Sequence, residues 1–292
     1  MKYLIFADAS ADIDKSFGEE NDVHYIPMEY SLGDEMRTCA GVETESVMKA
    51  FYNGQRNGDL TKTSQISPYL YKEYLEPYFK AGYSVLYLCL SSGLSSTYQS
   101  ALLAKEELKE EYPELDFYPI DSLAATGGMG VLTERAVRNL DAGMSIEDNY
   151  NDLLACVAKI RHWFMVEDLM YLKRGGRVSA ATAVVGSALN IKPILKIDEN
   201  GKLITIAKKR GSKAALNELF ELFKKTYDAE CKDDVISIVH ADAAEIAEEL
   251  KQKVLEIYPD VTIRTGYLTP IIGAHTGPGM VAICHMGKNW EK

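Results

Sequence analysis

Two clusters of hydroxyl side chains and one histidine carry the chemistry that this 292-residue chain offers on inspection. Ser91-Ser92-Gly93-Leu94-Ser95-Ser96 joins an apolar run to a helical pattern, and Thr63-Ser64-Gln65 stands just ahead of Ser67-Pro68. His275 lies in Gly273-Ala274-His275-Thr276-Gly277, read here as a glycine-rich loop between strands. Serine and threonine hydroxyls with no base beside them donate neutral hydrogen bonds to carboxylate or phosphate oxygens; a hydroxyl paired with an imidazole becomes a nucleophile. Gly93-Leu94-Ser95-Ser96-Thr97 begins like G-x-S-x-G but has threonine where the second glycine belongs, which argues against an acylated Ser95. Ser96 and Gln99 fit a capping box, which gives Ser96 a structural task and leaves Ser91, Ser92 and Ser95 for a ligand.

Cations and glycines mark further edges. Leu172-Lys173-Arg174-Gly175-Gly176-Arg177 gathers three positive charges around a Gly-Gly turn in an acidic chain. These are either solvated turn charges, or Arg174 or Arg177 meets an anionic ligand or an acidic partner, a task for which guanidinium is suited. Lys208-Lys209-Arg210-Gly211 reads as a second basic turn. Asp8-Ala9-Ser10-Ala11-Asp12 follows the first strand and either edges the site or only ties down its own turn. Gly127-Gly128-Met129-Gly130 matches no phosphate-binding loop, so its small residues serve close packing or leave clearance for a long apolar ligand.

The elements that must position these groups read as an α/β protein. Tyr3 to Ala7, Val23 to Met28, Val85 to Leu90 and Asp116 to Asp121 are strand-like, and the short apolar run before the serine loop is typical of a covered parallel strand. Ser67-Pro68 opens a helix that Pro77 should bend or end. Ser145 caps another, Ala180 to Asn190 suits a buried helix, and Ile191 to Ala207 reads as a hairpin about Asp198-Glu199-Asn200-Gly201. We expect two α/β domains with the ligand between them. Residues 1–160 form a mostly parallel sheet with flanking helices, and residues 161–292 a mixed sheet with helices.

Composition excludes other classes. With 43 acidic against 32 basic residues the net charge is -11, and no basic stripe offsets it, so nucleic acid is not an expected partner. The strand-like start is too short for a signal peptide and no run approaches a membrane span, so we expect a cytoplasmic protein without stable membrane insertion. The five cysteines are scattered through apolar stretches, as reduced core thiols are, and indicate neither disulfides nor a metal site.

Taken together, Asp8 to Asp12, Thr63-Ser64-Gln65-Ile66-Ser67-Pro68, Ser91 to Gln99, Ile120-Asp121-Ser122, Leu172 to Arg177, Asn190-Ile191-Lys192-Pro193-Ile194 and Gly273 to Pro278 resemble the DegV family along nearly the whole chain. The resemblance implies a two-domain carrier that needs no cofactor and no catalytic centre of its own. It would hold one long-chain fatty acid and present it to a separate ATP-dependent fatty-acid kinase, on the way to phospholipid synthesis. By resemblance, Thr63 and Ser92 hold the carboxylate, Ser64 and Ser91 lie close by, His275 and Arg174 approach from the second domain, and Arg210 faces the kinase. Ala9 stands where the family often has serine, and Ser96 where it often has glycine. The rival expectation is a serine esterase or acyltransferase using Ser92 or Ser95 with His275, which needs the histidine on the serine and a carboxylate behind it.

Overall fold

Apolar residues on both faces of Tyr3–Asp8 (β1) and Ser84–Cys89 (β6) demand cover on two sides, and the two strands pair at the centre of a parallel sheet of order β2-β1-β6-β7. His24–Ile26 (β2) and Phe117–Asp121 (β7) complete it. Alternation along β6 decides what each face meets. Val85, Tyr87 and Cys89 pack with helices Pro68–Lys80 and Thr97–Glu111, whereas Leu86, Leu88 and the following Leu90 pack with Gly127–Asp141 and Ile146–Val157. The computed structural model describes residues 2–41, 43–179, 190–231 and 233–288. The expected buried helix at Ala180 to Asn190 lies almost wholly outside the described residues.

A second, mixed sheet has the order β10-β9-β8-β13-β11-β12. Its strands are Ile160–Met165 (β8), Ile191–Ile197 (β9), Leu203–Arg210 (β10), Ile236–His240 (β11), Ile263–Tyr267 (β12) and Val281–Met286 (β13). Only β11 and β12 run parallel among its neighbours; the others pair antiparallel, including the expected β9–β10 hairpin. Helices Ser212–Thr226 and Ala244–Ile257 cover one face through Leu216, Leu219, Phe223, Leu250 and Val254. One apolar cluster runs from Tyr87 and Phe51 to Phe164, Leu195 and Ala282, so it is continuous between the two halves of the chain.

Several local expectations change. Val23 to Met28 is two strands, and Met28–Leu32 (β3) pairs with Glu35–Cys39 (β4) and Thr61–Thr63 (β5) in a third, antiparallel sheet that replaces the expected irregular segment. The helix opened by Pro68, with Ser67 accepting from the Leu70 N–H, continues past Pro77 to Lys80. Lys208 to Arg210 form no turn. They end β10, and Gly211 at φ 83° makes the corner into the next helix. All five cysteines are unpaired.

Candidate functional site

Thr63 is the last residue of β5, where pairing with Tyr30 of β3 holds its backbone. Strand alternation turns Thr61 and Thr63 to one side and Lys62 to the other. Both threonines meet a short helix, Pro270–Thr276: Thr61 Oγ1 donates to the Ala274 carbonyl at 2.9 Å, and Thr63 Oγ1 lies 2.7 Å from His275 Nε2. His275 therefore sits on a helix rather than in a loop between strands. Thr269 and Pro270 start that helix and Gly277, at φ 73°, ends it. Donors from the first half of the chain fasten it: Gln55 Nε2 to the Gly273 carbonyl at 3.0 Å and Tyr52 Oη to the Leu268 carbonyl at 2.8 Å. In return the Thr269 N–H donates to Asp12 Oδ1 at 2.7 Å.

Burial, reinforced by the nearby Arg177 cation, pushes the His275 pKa down to about 4, so the ring is neutral near pH 7. Its Nδ1 is enclosed and has no hydrogen-bond partner among the described residues. Gly175 packs so closely there that a Cβ would come within 2.2 Å of Nδ1. The network assigns the tautomer. With the proton on Nε2, the imidazole donates to Thr63 Oγ1, the orphan at Nδ1 is only a lone pair, and the Thr63 hydroxyl hydrogen is released for a ligand. The opposite tautomer would bury an N–H without an acceptor, the costlier defect.

Ser92 faces the same space. Its backbone N–H donates to Asp121 Oδ1 at 3.0 Å, which holds the loop, while its Oγ makes no hydrogen bond among the described residues. Ser91 is turned away: its Oγ donates to the Gly201 carbonyl at 2.8 Å and accepts from the Gly93 N–H at 3.1 Å, tying the loop to the β9–β10 hairpin. Ser95 Oγ accepts from the Thr97 N–H at 3.2 Å and lies 2.8 Å from Thr97 Oγ1. The expected Ser96–Gln99 capping box is absent. Ser96 occupies the cap position with ψ 10°, not the extended backbone a capping side chain needs, and Ser95 satisfies the helix donor instead. Asp8 takes the Ser10 N–H at 3.0 Å and the Leu90 N–H at 2.7 Å, so that turn is tied to itself and to the strand feeding the serine loop.

Thr63, Ser64, Ser92, Ser95, Arg177 and His275 border a cavity of about 420 Å³, a size common for small-molecule sites. Met28, Leu90, Phe164, Ile271 and Met280 supply apolar wall from both halves of the chain. Arg174 is exposed, 4.5 Å over the Tyr171 ring, and does not border the cavity. Of the two arginines left open by the sequence, Arg177 does, but its guanidinium is engaged with the Leu94 carbonyl at 3.0 and 2.9 Å and with the Gly175 carbonyl. Arg210, exposed at the end of β10, is also outside it. Thr126, His162 and Thr276 also border the cavity, where no expectation had placed them. His162 alone had a signal, a histidine within an otherwise covered strand. Gly127 and Gly128 pack against Ser237 and His162, where a Cβ would come within 2.3 and 1.9 Å, so these two serve close packing, while the adjacent Ala125 and Thr126 border the cavity.

The esterase alternative requires a different arrangement. His275 Nε2 is on Thr63 rather than on Ser92 or Ser95, and no carboxylate among the described residues meets Nδ1.

Comparison with known proteins places this architecture. A family model described as "Uncharacterised protein, DegV family" matches residues 2–288. A DegV domain-containing protein of Clostridium perfringens is 38% identical over 290 residues, covering 99% of each chain. Among solved structures, a DegV lipid-binding protein of Thermotoga maritima is similar with a TM-score of 0.85 at 30% identity, covering 100% of both chains. DegV of Bacillus subtilis, described as a fatty acid binding protein, has a TM-score of 0.80 at 30% identity, covering 99% of this chain and 100% of its own. With the match extending over nearly every residue, including both the Thr63 and the His275 segments, the chain belongs to the DegV family.

Proposed function

We propose that this protein binds one long-chain fatty acid in the cavity between the two halves of the chain, residues 1–160 and 161–292, and presents its carboxylate to a fatty-acid kinase. The observation that carries the reading is the pair of hydroxyl residues that border the cavity: Thr63, polarised by the neutral His275, and Ser92, whose Oγ is free among the described residues. Ser64 borders the cavity as well. Two aimed O–H donors stabilise a carboxylate that would otherwise be left unpaired on burial. The tail supplies the affinity: at about 0.8 kcal/mol per buried CH₂, roughly fourteen methylenes contribute on the order of 11 kcal/mol before the costs of ordering. The fatty-acid-binding description of a relative 30% identical supports the ligand class. Kinase presentation rests on the family resemblance and on the exposure of Arg174 and Arg210, which leaves both free to meet an acidic partner surface.

Denaturing mass spectrometry of protein purified from a bacterial host should release a fatty acid. Repeated recovery of empty protein that also fails to take up added palmitate or oleate would overturn the assignment.

A further inference from the structure

His162 interrupts the apolar wall of the cavity. It lies on β8 two residues before Phe164, so both side chains emerge on one face of the strand, and both border the cavity. The residue is 4% exposed. Its Nε2 lies 3.4 Å from the Ala125 N–H, at the start of the helix that begins with Gly127. Gly128 leaves room for the ring, since a Cβ there would come within 1.9 Å of Nε2. Burial pushes its pKa down to about 3, so the imidazole is neutral across the physiological range. A nitrogen facing a backbone N–H must be the acceptor, which puts the ring's one proton on Nδ1. That Nδ1 has no hydrogen-bond partner among the described residues. A plain hydrocarbon chain would leave this donor unpaired.

We propose that His162 is a second polar anchor in the cavity and that the preferred ligand is an acyl chain bearing an oxygen substituent, a hydroxyl or a ketone, at a position remote from its carboxylate. The inference rests on the fatty-acid reading above and refines it. Sites built to pair a substrate oxygen discriminate strongly against the analogue that lacks it, because their own polar group is then stranded. The pairing also accounts for a histidine standing in a wall that includes Phe164, Ile197, Leu203 and Ala282.

Dissociation constants for stearate and for a positional series of monohydroxystearates test this on the wild-type protein, His162→Val and His162→Gln, with each variant's fold checked by thermal melting. At least one hydroxystearate should bind the wild type about tenfold more tightly than stearate. His162→Val should abolish that preference, and His162→Gln, which keeps a donor, should retain part of it. If stearate binds but no isomer is preferred, or if the preference survives in a folded His162→Val protein, the His162 assignment is wrong and the carrier reading stands. If neither stearate nor any hydroxystearate binds, both fall together.

Discussion

His275 Nε2 lies 2.7 Å from Thr63 Oγ1, although 212 positions separate the two residues in the chain. This contact joins the end of an edge strand to a helix inserted from the far end of the sequence, and it aims the Thr63 hydroxyl. Thr63→Val keeps the shape but removes the oxygen. Fatty-acid affinity should fall about tenfold or more and stability by about 1–3 kcal/mol, because the buried imidazole loses its partner. Titration with a fluorescent fatty-acid analogue and a denaturant melt read the two losses.

Ser91 and Ser92 are neighbours with opposite expectations. Ser92→Ala should weaken binding about fivefold to tenfold with an unchanged melting temperature, since its Oγ supports nothing else among the described residues. Ser91→Ala should cost about 1 kcal/mol of stability through loss of the Gly201 contact, with a smaller effect on binding. Equal effects from both substitutions would contradict this division.

Gly175→Ala probes the packing behind the histidine. Gly175 has helical backbone angles that alanine accepts, so any damage comes from the Cβ meeting Nδ1. The substitution should lower stability by about 1–3 kcal/mol and displace the His275 ring, weakening fatty-acid binding in the same titration.

Asp12 predicts a pH signature. Burial, opposed by hydrogen bonds from Thr126 and Thr269, raises its pKa to about 7, so the folded protein retains a proton that the unfolded chain releases near the ordinary carboxylate value. The stability tied to that proton is present at low pH and is lost as pH rises through about 7. Asp12→Asn cannot titrate. Its melting temperature relative to wild type should climb between about pH 4 and pH 7 and level off above, whatever constant offset the lost hydrogen bonds impose. A flat difference across that range would show that Asp12 stays ionised throughout.

Arg174→Ala and Arg210→Ala address the proposed encounter with a kinase. Neither side chain borders the cavity, so fatty-acid affinity should hold within about twofold while phosphorylation of the bound acid by the kinase falls about tenfold. Parallel loss of both quantities would refute the partner-facing assignment.

Much of this was legible from residues 1–160 and 190–288 because their patterns are local. The covered strand before the serine loop, the Ser67-Pro68 start and the β9–β10 hairpin each announce themselves within a few residues. What escaped depends on distance. Thr61-Lys62-Thr63 has no apolar alternation and becomes a strand only because β3 is there to pair with it. Glycines around His275 read as a loop because their packing against Tyr52 and Phe51 is invisible in sequence, as a Cβ at Gly273 would come within 2.5 and 3.0 Å of those rings. The exchange of Arg174 for Arg177 at the cavity follows from the Gly-Gly corner, where the helix ends at Arg174 and Gly176 turns the chain at φ 74°, which spacing alone does not settle.

The helix Pro270–Thr276 lies far along the chain from the Thr63 strand, yet it supplies His275, Ile271 and Ile272 to the cavity. Contacts of such long sequence separation form late in folding, so the cavity wall is among the last features the folding chain completes. Removing the chain from Pro270 onward should leave apolar wall uncovered and yield an aggregation-prone product rather than a weaker binder.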